Sequence, residues 1–486
     1  LLLYHPAEAA ADVGQQFSIL EMPDRNEGLI IQVISNDSLE YAGLKEEMIQ
    51  RILERQITPG EPRLNLEQGM DEIKSLKMAT SKIRKRISNG QWLNWDGWIP
   101  TRNVEISTID EEDLLANIIP DAICPIRSFT RFNNLQITFD GQRLDKVNVI
   151  AGVKGSGKSH LAKHVVIALS EAQVPCIIFD INGEYTVLPD AQILRWGENY
   201  LPNLAIIGYE MILEIIRAMY PLPETSDAVL DGTLPVAFRK RREKCERDGV
   251  DFTIDIPYLM TYTWPGNDYV RNAINDRLRF IDNLNLFLIT TVDERNTEVN
   301  EEIIVDLMGA YDQACEGMPI VFDISNKSPK LQKALVKAMN NTIENICKIE
   351  TVGAGRYPFV FYEEAHFYIS DDAILNIITR GRHLGLGSFF VTNTPQNLPD
   401  TVFRQLDNLF LLGLTHRDDI RSVSKNSFTD EDTIQSFATR MPEKHALITG
   451  KVTDRYSLVV EVDPLPEDMP ATGRTKSTWD RFLHAE

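Results

Sequence analysis

The chain has 486 residues, of which 43% are hydrophobic and 25% charged, and its 50 basic and 71 acidic side chains give a net charge of −21. This balance is typical of a soluble globular protein of about three domains and argues against disordered, collagen-like and membrane-spanning classes. It also argues against a generally basic nucleic-acid binder, although a local basic channel remains open. The five cysteines form no C-x-x-C pair, and no apolar run reaches membrane length, so we expect reduced thiols and a cytoplasmic protein.

Residues 1–125 have the pattern of a small β-barrel or sandwich. Three strand-length runs, FSIL, GLIIQVI and RNVEIS, are separated by segments rich in Gly, Pro, Asn and Asp. One helix is predicted near Leu44 to Arg55.

An α/β pattern follows in residues 126–197 and resumes in residues 317–462. A strand at Val147 to Ile150, a helix at Ser159 to Ala172 and a strand at Val174 to Asp180 form a β-loop-α-β unit. Later strands are predicted in MPIVFDIS, YPFVFYEEA, GSFFVTNT and NLFLLGLT, with helices such as Leu331 to Ile346 between them. The fold class is therefore α/β, with a mainly parallel sheet and reactive residues at the carboxyl ends of its strands. A helical period predicts an insertion over residues 198–316, and residues 463–486 are predicted to form an extended tail.

The most specific motif is a complete G-x-x-x-x-G-K-[ST] at Gly152–Ser159, placed between a strand and a helix. In such a loop, backbone N–H groups face phosphate oxygens, and the following helix adds the positive end of its dipole. Lys158 is expected to reach the β- and γ-phosphates of ATP, and the Ser159 hydroxyl to bind Mg²⁺. The predicted phosphate cradle consists of Gly152, Gly155, Ser156 and Gly157.

Acidic and amide side chains follow three of the predicted strands. Glu363 is expected to hold Mg²⁺ through water and Glu364 to polarise the attacking water, because a buried pair of carboxylates is unfavourable without a cation. Asp180 and Glu184 are expected to emerge near the nucleotide; the less favoured alternative for Glu184 is a plain turn residue. Asn393 follows another strand and could sense the γ-phosphate.

Two arginines, Arg380 and Arg382, precede the strand that ends at Asn393. A planar guanidinium can stabilise the charge that spreads over a transferring phosphoryl group, so either could serve a neighbouring subunit as an arginine finger. The alternative is that each is an ordinary solvated surface residue.

Taken together, the segments GVKGSGKSH, FDINGEY, VFYEEAHFYI, GRHLGLGSFFVTNTPQNLP and MPEKHALITG resemble the HerA branch of the HerA/FtsK translocases. The resemblance runs from Val147 to about Pro464, and the N-terminal segment resembles the family's HAS barrel. It implies a RecA-like P-loop ATPase core with a helical insertion, assembled as a hexameric ring around double-stranded DNA. It also places His160 beside the nucleotide and makes the tail, with Arg474, similar to a brace that reaches the next subunit's nucleotide. The sequence departs from the family at Asn393, where Gln is more common.

The function that the resemblance implies is an ATP-hydrolysing, Mg²⁺-dependent translocase or helicase acting on double-stranded DNA. It would work with a separate partner, either a NurA-like nuclease or a defence effector such as a nuclease or a sirtuin-like enzyme, in DNA processing or antiphage defence. The alternative from another class is an ATPase scaffold that activates such an effector with little DNA movement. A protein-substrate motor of the conjugation-ATPase type is a weaker alternative because no membrane segment is predicted.

Two basic clusters could line a DNA channel. Lys74 to Arg86 holds six basic residues and no acidic one, and Arg239 to Arg247 holds six basic and two acidic residues. A run of charged residues is more often an ordinary solvent-exposed surface, and this alternative stays open for both basic clusters. His160 and His164 have the i, i+4 spacing of metal ligands but lack a third partner, which disfavours a metal site.

Overall fold

The computed structural model describes residues 2–6, 12–22, 24–38, 50, 76–100, 104–119, 125–131, 135–144, 146–290, 306–347, 356–367, 369, 386–425, 428–466 and 469. Three predicted site residues, Arg380, Arg382 and Arg474, lie outside these ranges, as does most of the helix predicted near Leu44 to Arg55. Within the same ranges, no helix combines the length and the apolar character needed to cross a membrane.

The N-terminal region is a six-stranded antiparallel sheet. Its strands are β1 (Leu2–Pro6), β2 (Gln16–Glu21), β3 (Gly28–Ser38), β4 (Leu76–Ser88), β5 (Gln91–Asn94) and β6 (Val104–Thr108). Their order is β1-β4-β3-β2-β6, and β5 pairs with the free side of the C-terminal half of β4. A short helix, α1 (Glu111–Ile118), follows β6. The three predicted strands correspond to β2, β3 and β6, and the sheet is consistent with a small barrel, but β4 was not predicted because its basic run resembles a solvated surface.

The second sheet has eleven strands. They are β7 (Pro125–Arg131), β8 (Leu135–Asp140), β9 (Val147–Ala151), β10 (Cys176–Asp180), β11 (Gln192–Arg195), β12 (Ile320–Asp323), β13 (Phe359–Tyr362), β14 (Gly387–Thr392), β15 (Asn408–Leu411), β16 (His445–Gly450) and β17 (Leu458–Val462). Their order is β11-β12-β10-β13-β14-β9-β15-β16-β17-β7-β8. The stretch from β11 to β15 is parallel, whereas the remaining pairs are antiparallel. The predicted α/β class with a mainly parallel sheet is confirmed.

Helices cover both faces of the parallel part of this sheet. They are α2 (Lys158–Glu171), α3 (Leu204–Ile207), α4 (Glu210–Met219), α5 (Glu224–Asp248), α6 (Ile256–Thr261), α7 (Asp268–Asn283), α8 (Leu307–Ala314), α9 (Pro329–Cys347), α10 (Asp400–Arg404), α11 (Arg417–Val423) and α12 (Glu431–Ala438). Side chains of β10 alternate between the two cores: Ile177 and Phe179 pack into one, and Cys176 and Ile178 into the other. Burial on both faces explains why these strands are continuous apolar runs. Helices α3 to α8 lie between β11 and β12, inside the predicted insertion.

Candidate nucleotide site

The glycine-rich loop leaves the carboxyl end of β9, which lies between β14 and β15 near the middle of the parallel sheet. Gly155 and Gly157 adopt left-handed backbone angles, with φ of 80° and 101°, which glycine reaches without steric penalty. A side chain at Gly152 would come within 2.6 Å of Ser156 Oγ and 2.8 Å of Leu412 Cβ. The fold of the loop therefore requires glycine at all three positions.

Lys158 opens α2 and is only 7% exposed. Its ammonium group donates a hydrogen bond to the carbonyl oxygen of Val153 at 3.1 Å. Burial lowers the pKa of Lys158, while the carboxylates of Glu364, Glu363 and Glu184 oppose this shift. The hydroxyl of Ser156 is buried without a hydrogen-bond partner in the described part of the chain. The loop thus presents a cation and a polar group that a phosphate could engage.

Glu363 lies just after β13, next to β10 and β14, and is 2% exposed. Its Oε1 lies 3.5 Å from Ser159 Oγ, and its Oε2 accepts a hydrogen bond from the Tyr185 hydroxyl at 2.6 Å. Burial raises the pKa of Glu363 to about 8; the hydrogen bond from Tyr185 lowers it, and nearby carboxylates raise it further. The ligand atoms that this corner of the site offers, the carboxylate of Glu363 and the hydroxyl of Ser159, are hard oxygen atoms. Such donors fit Mg²⁺, which is usually held by one or two carboxylates together with substrate phosphates.

The neighbouring Glu364 has a left-handed backbone, with φ of 47°. This conformation is uncommon outside glycine and is often found at functional sites. Glu364 Oε1 accepts a hydrogen bond from Asn393 Nδ2 at 3.1 Å, and Oε2 lies 3.5 Å from His366 Nδ1. Burial raises the pKa of Glu364, which the charge of Lys158 opposes. The structure therefore brings the predicted Glu364 and Asn393 together at the ends of β13 and β14.

Asp180 is fully buried at the end of β10, and its carboxylate is engaged by the backbone. Oδ1 accepts from the N–H groups of Asn182, Gly183 and Glu184, and Oδ2 accepts from that of Tyr185. Burial raises the pKa of Asp180, and these backbone donors oppose the shift. Asp180 therefore shapes the turn that carries Glu184 and Tyr185. Glu184 is half-buried there, and its charge acts on Lys158 and Glu363.

His160 lies in the first turn of α2 and contacts the segment that follows β17. Its Nε2 lies 2.8 Å from the carbonyl oxygen of Asp463, and its ring packs edge-on against His164 with centroids 5.0 Å apart. Burial lowers the pKa of His160. Among the described residues, no group of three or more His, Cys, Asp or Glu side chains could hold a metal ion by itself.

Two residues beside the site had no predicted role. Tyr185 was part of the FDINGEY segment, but nothing in the sequence showed that its hydroxyl would meet Glu363. Lys163 is 2% exposed on α2, and its ammonium group lies 5.7 Å from the centroid of the Tyr185 ring. Burial lowers the pKa of Lys163, and the carboxylates of Glu184 and Asp180 oppose the shift. A lysine within the apolar sequence around Leu161 to Val166 was the available sign of a buried charge.

The basic cluster on β4 is held within the protein. Lys82 pairs with Asp430 and Asp432, Arg84 donates to Gln32 and Thr433, Lys85 pairs with Asp454 and donates to Asn94, and Arg86 pairs with Glu27 and Asp96. We call the contacts of Lys82, Arg84 and Lys85 with residues 430–454 the basic-strand junction, because they join the N-terminal sheet to the second sheet and α12. Lys74 lies outside the described residues. These partners leave Lys82, Arg84, Lys85 and Arg86 poorly suited to bind DNA.

The sheet order, the loop after β9 and the acidic end of β13 define a P-loop nucleoside-triphosphatase fold. A family model described as "Helicase HerA, central domain" matches residues 128–409. That match covers more than half of the chain, so the chain belongs to the HerA helicase family.

Two curated relatives are described as DNA double-strand break repair helicase HerA. The protein from Sulfurisphaera tokodaii is 22% identical over 344 residues, covering 65% of this chain and 64% of the relative. The protein from Sulfolobus acidocaldarius is 21% identical over 362 residues, covering 68% and 67%. The matched region thus spans about two thirds of each relative. The solved structure of VirB4 from Thermoanaerobacter pseudethanolicus has a TM-score of 0.52 at 14% identity, covering 72% of this chain and all of that one, and it supports the fold alone.

Proposed function

We propose that this protein hydrolyses ATP to move double-stranded DNA. One observation carries the proposal: a complete P-loop faces a buried Glu363–Glu364 pair inside a chain whose central region matches the HerA helicase family. The curated HerA relatives, named as helicases of DNA double-strand break repair, supply the substrate class.

The residues divide the work of the nucleotide site. Lys158 leaves the Val153 carbonyl and binds the β- and γ-phosphates, while the glycines and Ser156 line the cradle. Ser159 and Glu363 would hold Mg²⁺, which would neutralise phosphate charge when bound. Glu364 orients the attacking water through its carboxylate and takes its proton, and Asn393 fixes one oxygen of that carboxylate at 3.1 Å. Glu184, which faces the same charges, is the next candidate for the base.

The finer assembly rests on the family resemblance. The proposed particle is a homo-hexamer in which Arg380, Arg382 or Arg474 reaches the nucleotide of a neighbouring subunit. Mixing the inactive variants Lys158→Ala and Arg382→Ala should then restore part of the activity, because some interfaces pair an intact P-loop with an intact arginine. A catalytically competent monomer would contradict this arrangement. A nuclease or defence effector would act as the partner.

Of the two predicted basic clusters, the one at the end of α5 is the better candidate for a DNA contact. Arg239, Lys240 and Arg242 are exposed, whereas Arg241 is partly buried and donates to Thr253. Six copies of such a cluster in a ring could provide the local positive surface that a net charge of −21 otherwise opposes.

The decisive experiment measures ATP turnover of the purified protein with and without long duplex DNA, beside Lys158→Ala. DNA-stimulated turnover that the variant lacks is the expected result. Turnover that is indifferent to duplex DNA, together with no duplex binding at low salt, would instead favour the scaffold function, in which ATP serves to assemble and activate an effector.

A further inference from the structure

Glu363 is held from two sides. Its Oε1 faces Ser159 Oγ at 3.5 Å, on the side of the P-loop, and its Oε2 accepts the Tyr185 hydroxyl at 2.6 Å, on the side of the β10 turn. A glutamate has three rotatable side-chain bonds, so its carboxylate needs an external contact to stay in one orientation. The hydroxyl of Tyr185 supplies such a contact to the oxygen on the side of the β10 turn.

Tyr185 is itself held in place through its backbone and through its buried ring. Its backbone N–H donates to Asp180 Oδ2 at 2.8 Å, and Asp180 also holds the preceding residues of the turn. Its ring is fully buried, and the ammonium group of Lys163 lies 5.7 Å from the ring centroid. A rigid donor of this kind orients a ligand without taking part in the chemistry.

We propose that Tyr185 is a positioning residue that aims Glu363 at the P-loop and so couples divalent-cation binding to nucleotide binding. The inference rests on the proposed nucleotide function and deepens it, because it concerns the same site. Tyr185 touches neither the phosphate cradle nor Glu364 through a described hydrogen bond. Its removal should therefore affect the cation and leave the binding of metal-free nucleotide unchanged.

The test uses Tyr185→Phe, which keeps the ring and removes the hydroxyl. A fluorescent ATP analogue is titrated into the full-length protein in EDTA and again in Mg²⁺, and the ratio of the two affinities measures the coupling. Because a hydrogen bond to a charged group contributes about 1.5–3 kcal/mol, we expect that ratio to fall by about 10-fold or more, with the affinity in EDTA unchanged. Mn²⁺ binding in the presence of the analogue, followed by electron paramagnetic resonance, gives a readout that does not depend on turnover.

The matched control is Tyr200→Phe. Tyr200 is 2% exposed, and its hydroxyl meets the sulfur of Met339 at 3.8 Å rather than the site. This variant should keep the parental Mg²⁺ coupling. Thermal melting in EDTA checks that both variants are folded.

A second route approaches the same contact from Glu363. Glu363→Gln should lower the Mg²⁺ coupling, and adding Tyr185→Phe to it should lower the coupling no further, because the two side chains act as one unit. If Tyr185→Phe does not fold, 4-fluorophenylalanine at position 185 fills more of the space of the hydroxyl without supplying a donor and leaves Glu363 intact, and we expect the same loss of coupling with unchanged affinity in EDTA.

The outcomes separate the inference from the proposed function. Parental protein that binds the analogue no better than Lys158→Ala would overturn both. Parental protein with clear Mg²⁺ coupling, together with a Tyr185→Phe variant that keeps it, would overturn the role of Tyr185 alone. An equal loss of affinity with and without Mg²⁺ would also overturn it, because that pattern indicates general damage to the site.

Discussion

The nucleotide site and the basic-strand junction both bury lysines near carboxylates, yet they balance charge differently. At the junction, Lys85 is 2% exposed and has its own partners in Asp454 and Asn94. At the nucleotide site, the Lys158 ammonium group bonds to a carbonyl, while two adjacent carboxylates have their pKa values raised by burial. Charges that are paired within the chain are typical of a structural contact between two regions. Neighbouring carboxylates whose pKa values are raised by burial are typical of a functional site, here one that we propose binds a cation.

The largest effect should come from Glu364→Gln. Removing a general base typically reduces turnover by about 100-fold or more, whereas ATP binding should persist because the P-loop is untouched. Turnover assays and nucleotide titration of the same preparation check both parts. Parental turnover in this variant would move the base elsewhere, with Glu184 next to be tested.

Lys85→Met should affect stability and leave the nucleotide site alone. Loss of one partner of a buried ion pair costs about 3–5 kcal/mol, and we expect about 2–3 kcal/mol here because the Asp454 side chain is 48% exposed and can be hydrated. Urea unfolding measures this change. Lys82→Ala is the control: the side chains of Lys82 and Asp432 are 33% and 74% exposed, so the loss should stay below about 1 kcal/mol. Weakened nucleotide binding by folded Lys85→Met would contradict the separation of the two regions.

The crowded carboxylates also predict a pH dependence for the metal-free protein. With a folded-state pKa of about 8 and a reference value of 4.5, Glu363 binds more protons in the native state between these pH values. Its contribution to stability is therefore fully present below about pH 4.5 and is lost as the pH rises toward 8, by up to about 1.4 kcal/mol per pH unit. Unfolding in EDTA across this window should show a flatter profile for Glu363→Gln than for the parent. If the profiles of the parent and of Glu363→Gln superimpose, the negative charge of Glu363 is already balanced by positive charge within the folded site.

The smallest effect should appear in DNA binding by assembled protein. The double variant Lys240→Ala/Arg242→Ala should weaken duplex binding several-fold. It should also reduce the salt dependence of binding, because a protein that makes fewer phosphate contacts releases fewer counterions when it binds. These side chains lie over the aromatic rings of Tyr262 and Phe252 rather than against carboxylates. The matched variant Lys82→Ala should leave duplex affinity unchanged, and equal losses from both clusters would remove the contrast between them.

The sequence was informative where the chemistry is local. The P-loop motif spans eight consecutive residues, so its position between β9 and α2 could be predicted without knowledge of the fold. The four later parallel strands were equally clear because burial on both faces makes them continuously apolar. Glu364 and Asn393 could each be placed at the carboxyl end of a strand for the same reason, whereas the pairing of β13 with β14 came from the structure.

Features that depend on distant partners escaped prediction. The basic residues of β4 look like a solvated surface until Asp430, Asp432 and Asp454 supply their partners from more than 340 positions away in sequence. The hydrogen bond between Tyr185 and Glu363 joins residues 178 positions apart. The left-handed backbone of Glu364 has no sequence signature because non-glycine residues rarely adopt it.

The helices between β11 and β12 have a consequence for how such a protein can vary. These two strands pair in register, with Gln192 opposite Ile320, and β11 forms the outer edge of the sheet. The inserted chain therefore leaves from β11 and returns to its neighbour β12, which β10 separates from the acidic strand β13. We therefore expect that a graft at this edge of the sheet can change length, charge or surface without shifting the register of β9 and β13, the strands that precede the P-loop and Glu363. Chimaeras that exchange residues 198–316 between relatives should accordingly retain nucleotide binding. If the insertion contacts DNA, as proposed, they should also acquire the DNA affinity of the protein that donated it.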